Sequence, residues 1–499
     1  MQAIIARNGL ETPEPVKAEV KGSVPSWLQG TLLRNGPGLF SVGDSEYNHW
    51  FDGLSLIHSF TFSNGEVTYR SKYLKSETYK RNVKADRIVV SEFGTMIYPD
   101  PCKNIFSRAM THFRNIIPDF TDNNLINIIR YGQDYYASSE VNYINQVDPS
   151  TLETVGRVNY RNHIALNLAT AHPHYDKEGN TYNMGTAIIG LGRPKYIIFK
   201  VPGTTSDKDL KKPALRKVQQ ICSVPFRSTL YPSYFHSFGM TENYVVFVEQ
   251  PFKLDIVKLA TAYFRGVNWG SCLKFDEKDD TFFHVINIKT GKANSLRYHA
   301  DALVVFHHIN AYEDDGHVVF DIIAYKDSNL YNMFYLHNMK KETDNFIEAN
   351  QEFSPPVFPF HSIDITWVTA QSTSGTFSGM ELPGINYDFN ARKYRYFYGS
   401  RLEWSPHPNK IAKVDIVTKT HVEWRQENCY PSEPVFVASP GAVEEDDGVI
   451  LSSVVSSDPS ISPFLLLLDA KTFEEIARAS IPVPVHMDLH GLFIPDTGK

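Results

Sequence analysis

Short apolar runs, broken at close intervals by turn residues, make up most of the chain. The segments 195–199 (KYIIF), 244–248 (YVVFV), 318–322 (VVFDI) and 449–451 (VIL) are β-branched or aromatic stretches bounded by turn residues, which predicts strands. Between Phe60-Thr61-Phe62 and Val67-Thr68-Tyr69 stands Ser63-Asn64-Gly65-Glu66, which predicts a tight hairpin because Asn and Gly tolerate the positive φ such a turn demands. Two further turns are acidic and end in glycine, Glu313-Asp314-Asp315-Gly316 and 444–448 (EEDDG). A cassette recurs in degenerate form at 144–158 (INQVDPSTLETVGRV), 285–298 (VINIKTGKANSLRY), 412–425 (AKVDIVTKTHVEWR) and 465–479 (LLLLDAKTFEEIARA). Each reads as a strand, a turn carrying Asp, Asn, Lys or Thr, and a return strand, the meander from which propeller blades are built. The repeat is too worn to count blades. Helical periodicity is scarce: it is clearest at 253–269, where Leu254, Val257, Thr261 and Phe264 form a stripe, and again at 103–117. No Pro/Gly/Ser-rich linker divides the chain, so a single all-β domain over 1–499 is expected.

Composition adds limits. With 42% hydrophobic and 13% aromatic residues, 27 Tyr and 32 Phe among them, the 499-residue chain can bury a large core. A net charge of −7 argues against a nucleic-acid footprint. The four cysteines lie far apart without a CxxC, which fits a reducing compartment and offers no thiolate zinc site. The N-terminal residues carry no long apolar region of a signal peptide, and nowhere do 18 apolar residues run together. A cytosolic protein, soluble or peripherally membrane-associated, is the expectation.

Candidate chemistry lies in four strings that each set a histidine among apolar or small residues: AHPH (171–174), FHSFG (235–239), FHHIN (306–310) and DLHGLF (488–493). None shows the i, i+4 spacing of a helical zinc site. Imidazoles gathered from distant segments suit a metal at the centre of a closed, strand-rich scaffold, although any one histidine taken alone is more often a core or surface residue. A ligating imidazole needs its other nitrogen held by a carboxylate or carbonyl. Glu140 (ASSEVN), Glu381 (GMELP) and Glu433 (PSEPVF) sit in settings poor for surface glutamates, and each must find a partner if buried. Taken singly, each is open to reading as a satisfied structural carboxylate.

The strings LRNGPG (33–38), HWFDG (49–53), EFGT (92–95), PDPCKNIFSR (99–108), AHPHYD (171–176), HSFGMTENYVVFVEQP (236–251), FHHINAYE (306–313) and DLHGLF (488–493) together resemble the carotenoid cleavage oxygenases, in order, from about residue 10 to 495. The segments 117–128, 250–264 and 486–493 look most like the animal β-carotene 15,15'-oxygenase branch. The resemblance implies a seven-bladed β-propeller capped by helices and loops, with one Fe(II) per chain held by His172, His236, His307 and His490. The His-x-x-Asn frame of His307 and Asn310 selects His307 over His308, and His174 and His486 become supporting residues. Glu140, Glu381 and Glu433 would each take the N–H of one ligand imidazole. Four neutral imidazoles leave two neighbouring positions of an octahedral metal for dioxygen and for substrate or water, whereas they would close a tetrahedral zinc. The substrate would be a long apolar polyene in a passage lined by Phe51, Phe93, Ile126, Tyr234, Trp269 and Tyr325. Where the family commonly has Glu-Thr-Asn this chain has Glu140-Val141-Asn142, which removes a hydroxyl near that passage.

What the resemblance implies for function is cleavage of a carotenoid double bond by O2, at the central 15,15' bond of β-carotene to give retinal. The alternatives are eccentric carotenoid or xanthophyll cleavage, retinoid isomerohydrolase chemistry, and a carotenoid-binding propeller without catalysis. Membrane or lipid-droplet contact through 253–269 is expected from Lys253, Lys258 and Arg265 beside apolar residues and Trp269, against the alternative of a lid helix packed on the propeller. Cys102 resembles a lipidated position of the isomerase branch, with a plain buried cysteine as the alternative. The protein is expected to act as a monomer.

Overall fold

A computed structural model describes residues 7–97, 120–188, 193–203, 213–295, 297–339, 361–364, 369–372, 380–401 and 409–496. The helical stripe expected at 103–117 and Cys102 lie outside the described residues.

Among the described residues, seven antiparallel sheets of four to six strands follow one another along the chain. The first orders Thr12–Lys17, Glu66–Tyr73, Leu54–Ser63, Gly30–Leu39 and His490–Pro495. The second holds Asn127–Tyr131, Asp134–Ser138, Tyr143–Val147 and Thr154–Asn159. The third is built on Thr181–Ala187, Lys195–Val201 and Gln219–Pro225, with Leu168–Ala169 and His174–Tyr175 at its edge. Gly239–Met240, Tyr244–Glu249, Thr281–Asn287 and Tyr298–Ala300 form the fourth. The fifth begins with Val304–Asp314 and His317–Tyr325, and the sixth runs from Met380–Gly384 through Tyr396–Arg401 and Lys410–Asp415 to Thr420–Trp424. The seventh joins Gly448–Ser456, Phe464–Asp469 and Glu475–Ser480 to Glu19–Gly22. These are the blades of an all-β propeller.

The ring is closed from both ends of the chain. The C-terminal strand pairs with Gly30–Leu39 in the register Asn35↔His490, Arg34↔Gly491, Leu33↔Leu492, and the N-terminal strand Glu19–Gly22 completes the last blade through Val20↔Ala479. Gly491 is required at this seam, since a Cβ there would lie 1.9 Å from the Leu33 carbonyl oxygen. Such closure ties the first blade to the last, and the radial arrangement leaves only short sheet edges.

The recurring cassettes become outer hairpins of one design. Asp148, Asn287, Asp415 and Asp469 end their strands, and each side-chain oxygen accepts two backbone N–H groups of the turn, as Asp415 does from Val417 at 2.9 Å and Thr418 at 3.1 Å. The residue four positions on (Leu152, Gly291, Lys419, Phe473) has a left-handed backbone and returns its N–H to the first residue's carbonyl at 2.8–2.9 Å. An Asp or Asn is needed because only a short acceptor reaches those N–H groups. The hairpin expected at 63–66 is present, with Asn64 at φ 52 and Gly65 at φ 78.

Helices among the described residues are short: Ile256–Ala260, Ala262–Arg265, Asn329–Met333 and Leu336–Met339, with Glu77–Ala85 longer. The stripe at 253–269 is not one helix. Phe252–Leu254 is a strand paired with Leu273–Phe275; the Asp255 carboxylate then caps a new helix by accepting the Lys258 N–H at 2.8 Å, and Gly266 at φ 61 ends the helical stretch. The periodicity misled because Leu254 belongs to a strand and lines the interior, whereas Val257 is solvent-exposed.

Candidate metal centre

The four histidines reach the propeller axis from four blades. His172 follows the edge strand of the third blade, where the Ala171 carbonyl accepts from Asn127 Nδ2 at 2.8 Å and the His172 N–H donates to Thr170 Oγ1 at 3.1 Å. His236 precedes the fourth blade, and its neighbour Ser237 donates to the Phe306 carbonyl at 2.6 Å. His307 lies on the first strand of the fifth blade at an irregularity in pairing between Val305 and Asn310. That bulge gives the adjacent histidines different surroundings: His307 meets the other imidazoles, and His308 meets the Ser237 hydroxyl at 2.9 Å and the Phe320 ring. Asn310 clamps the strand to the next blade, donating to the Phe389 and Arg392 carbonyls at 3.0 and 3.1 Å. His490 opens the closing strand, with the Leu489 N–H donated to the Asn35 carbonyl at 2.8 Å.

Side-chain nitrogens of His172, His236, His307 and His490 all lie within 4.8 Å of one another. Ring centroids stand 4.4 Å apart for His172 and His236, 4.6 Å for His172 and His490, and 5.2 Å for His307 and His490. Three of the imidazoles are tethered from behind. His236 Nδ1–H donates to Glu140, His307 Nδ1–H to Glu381 at 2.6 Å, and His490 Nδ1–H to Glu433 at 2.7 Å. A neutral imidazole that donates through Nδ1 presents a lone pair at Nε2. The His307 Nε2 is buried without a partner among the described residues, and His236 Nε2 faces His172 Nε2 at 2.8 Å. Converging buried lone pairs with nothing to accept from are what a divalent metal requires, so this donor set fits one.

Electrostatics agree with neutral rings and ionised carboxylates. Burial, with the neighbouring imidazoles adding to it, pushes His172 well below its ordinary pKa; burial also lowers His490, against the pull of Glu433. Burial alone would raise Glu381 and Glu433. It is outweighed by His307, the Tyr325 hydroxyl and the Leu382 N–H around Glu381, and by His490 and Arg34 around Glu433, so both carboxyls lie below the usual range. The Leu382 N–H reaches Glu381 at 3.1 Å because Leu382 adopts φ 49, a backbone state that costs a non-glycine residue about 1–3 kcal/mol.

Beside the cluster lies a cavity of about 220 Å³ whose exposed surface is mostly apolar, with polar side chains set into its wall. Phe51, Phe93, Ile126, Tyr234 and Trp269 line it, as expected, and so does Val141. Tyr325 does not. It is 1% exposed, sits behind Glu381, donates its hydroxyl to that carboxylate and packs edge-on against Phe306 at 5.9 Å. The resemblance places it in the passage wall by motif position, whereas its oxygen is committed to the tether. Tyr331 and Phe306, stacked at 4.6 Å, form part of the wall that sequence reasoning missed. Arg34 was missed as well, although a lone arginine inside the apolar run GTLLRNGPG needs a buried acid. It donates to Glu433 at 2.7 Å, to Asp488 at 2.7 Å and to the Leu489 carbonyl at 2.8 Å. His174 donates to or accepts nothing in the cluster: its Nε2–H meets the Phe238 carbonyl at 2.8 Å, and His486 lies against Gly9.

The profile described as retinal pigment epithelial membrane protein matches residues 5–495. A β,β-carotene 15,15'-dioxygenase of Gallus gallus is 54% identical, the alignment covering 99% of this chain and 98% of that protein. A mitochondrial carotenoid-cleaving dioxygenase of Mustela putorius furo is 42% identical over 97% of this chain and 94% of its own length. Among solved structures, a variant of the Synechocystis apocarotenoid oxygenase superposes with a TM-score of 0.79 at 23% identity, covering 99% of this chain and 98% of that one.

Proposed function

The chain belongs to the retinal pigment epithelial membrane protein family of carotenoid oxygenases, and on that premise we propose that it cleaves β-carotene with dioxygen at the central 15,15' double bond to give retinal. One C=C bond and the O–O bond break and two C=O bonds form, so atoms and electrons balance without an added reductant. The observation that carries the reading is the convergence of four imidazoles, three of them tethered to carboxylates and lining a mostly apolar cavity. His172, His236, His307 and His490 would hold one Fe(II) per chain. Bound there, iron supplies the one-electron chemistry that lets ground-state dioxygen react with a closed-shell polyene. Glu140, Glu381 and Glu433 keep the lone pairs of His236, His307 and His490 on the inner nitrogens and offset the metal's charge. Phe51, Phe93, Ile126, Tyr234 and Trp269 exclude water and orient the polyene. All of these groups come from one chain, so a monomer is sufficient. Central rather than eccentric cleavage is favoured because identity is 54% to the 15,15' enzyme and 42% to the other relative.

A peripheral lipid contact belongs to the same proposal. Leu230, Tyr231 and Val257 are exposed beside the segment that supplies Leu254 and Leu259 to the cavity, so a polyene can pass from lipid to interior over apolar surface. No helix among the described residues is long and apolar enough to cross a membrane. Cys222, Cys272 and Cys429 are buried free thiols, which suits the cytosol. Elemental analysis tests the core of the reading: purified protein should hold about one iron per chain, and removing it with a chelator should abolish turnover that added Fe(II) restores. Turnover that survives complete iron removal would contradict the proposal.

A further inference from the structure

A second, smaller cavity lies beside the first and has no part in the scheme above. It measures about 40 Å³ and is set between the edge of the third blade and the segment leading into the fourth, with Thr186 on one side and Pro232, Ser233 and Phe235 on the other. Thr186 is directed there because it shares a strand face with Tyr182 and Met184, which pack in one cluster with Phe235. Glu140, Leu168, Tyr234 and Leu254 line both cavities and so form the partition between them. Glu140 accepts the Nδ1–H of His236, which places the chamber behind one of the four imidazoles.

Size and wall chemistry decide what this chamber can hold. One water needs roughly 10–15 Å³ of such space, so 40 Å³ has room for a diatomic molecule. An ordered buried water also needs about two to four polar partners, and the wall has few to spare. Both Glu140 oxygens are taken, one by His236 and the other by the Tyr234 hydroxyl at 2.7 Å. The Ser233 hydroxyl donates to the Gln250 carbonyl at 2.7 Å. The Thr170 hydroxyl donates to Asn183 Oδ1 at 2.7 Å and accepts the His172 N–H at 3.1 Å. Only the Thr186 hydroxyl is left without such a bond among the described residues, and the exposed wall is mostly apolar. A small apolar molecule suits the space better than water does.

The oxygenase reaction has such a molecule among its substrates. A polyene seated against the imidazoles fills the larger cavity, so dioxygen must reach the metal from another side. In the partition, Tyr234 is held by Glu140 and by the edge-on rings of Phe252 and Tyr331, 5.5 and 5.9 Å away. Leu168 and Leu254 have no polar side-chain group to hold them, and Leu168 lies on an edge strand of two residues, so these are the groups free to turn aside. Outward, Pro232 adjoins the exposed Leu230 and Tyr231, an apolar surface that favours entry of dioxygen, which dissolves better in hydrocarbon than in water.

We propose that this chamber is a dioxygen site, which takes up O2 apart from the polyene and passes it to the metal across Leu168 and Leu254. The proposal rests on the oxygenase reading for its ligand and adds the route by which that ligand arrives.

Xenon and nitric oxide test it, since neither requires turnover. Crystals of the wild type under xenon pressure should show xenon between Thr186, Phe235 and Leu254; a chamber without xenon overturns the proposal. Thr186→Leu fills the space, whereas Thr186→Val keeps it and removes the hydroxyl. With iron and β-carotene bound and air excluded, nitric oxide, a diatomic ligand of Fe(II), should reach the metal about tenfold more slowly in Thr186→Leu and at the wild-type rate in Thr186→Val, followed by absorbance. An unchanged rate in Thr186→Leu, or equal slowing in both variants, overturns the route. Should Thr186→Leu fail to fold, xenon itself serves as the plug: saturating xenon should slow nitric oxide binding to the wild type, and a rate indifferent to xenon overturns the route equally. Under air, the KM for dioxygen should rise in Thr186→Leu while that for β-carotene stays unchanged. Slowed nitric oxide binding by a protein that cleaves no polyene would count against the function proposed above and leave the chamber standing. Cleavage with unaltered nitric oxide binding would do the reverse.

Discussion

Two of the tethers behind the histidine cluster solve one problem with different chemistry. In the arm from the sixth blade, Glu381 accepts His307 Nδ1–H on one oxygen and the Tyr325 hydroxyl on the other. In the arm at the seam between the first and last blades, Glu433 accepts His490 Nδ1–H and a guanidinium N–H of Arg34, which also binds Asp488. Formal charge does not separate the two arms: Glu381 with a neutral phenol carries one negative charge, and Glu433 with Asp488 and Arg34 carries one as well. What separates them is reach. The phenol serves a single carboxylate, whereas Arg34 is 0% exposed and ties together two acids and the backbone of the strand that closes the ring. The Glu140 arm is of the first kind, with the Tyr234 hydroxyl at 2.7 Å. The seam arm therefore couples the metal site to closure of the propeller, and the other arms couple it to the cavity.

The sharpest way to break this contrast is Arg34→Met. Leaving two buried carboxylates without their cation should destabilise the fold by about 3–5 kcal/mol, read as a large drop in the thermal unfolding midpoint. Tyr325→Phe strands only one carboxylate oxygen and should cost about 1–3 kcal/mol in the same measurement. Equal losses in the two variants would erase the distinction between the arms.

Next in size is the choice within the His307-His308 pair. His307→Ala should remove both iron and activity, while His308→Ala, which loses a contact to Ser237, should keep the iron. Iron kept by the first variant and lost by the second would reverse the assignment. Glu381→Gln should weaken iron binding or turnover by about 10–100-fold, since an amide accepts a weaker bond from the imidazole. Wild-type iron content and turnover would make Glu381 a bystander.

A smaller effect concerns acid. Burial holds His58 and His486, near Arg34 and the closing strand, at a pKa of about 3 against an ordinary 6.5. Their folded-state pKa is lowered, so the unfolded chain binds the extra protons. The stability they contribute is whole above pH 6.5 and is lost as pH falls from there toward 3, by at most about 1.4 kcal/mol per pH unit for each ring. Unfolding midpoints measured from pH 7 to pH 4 should flatten in His486→Gln; an unaltered slope would remove His486 from the account.

The same contrast governs what could be read before the structure. Local chemistry was legible: Asn64-Gly65 makes its hairpin, and the four cassettes make one turn design because an Asp or Asn acceptor at the strand end suffices. Each of the four histidines and three glutamates stands out by its unusual setting, and the structure brings them together. Groups whose role depends on a distant partner were not legible. Tyr325 looks like a tunnel aromatic until Glu381 is placed beside it, and Arg34 is silent until Asp488, 454 positions away, arrives. The stripe at 253–269 failed for a related reason, since its first apolar residue faces the interior from a strand paired with Leu273–Phe275.

The account stands most directly on the products formed when iron-loaded protein meets β-carotene under air, separated by chromatography. Retinal as the main product is predicted, because the cluster acts on the bond at the centre of the polyene. Apocarotenals longer than retinal, accompanied by an ionone fragment, would contradict central cleavage, and no carotenoid cleavage at all by iron-replete protein would contradict the oxygenase reading itself.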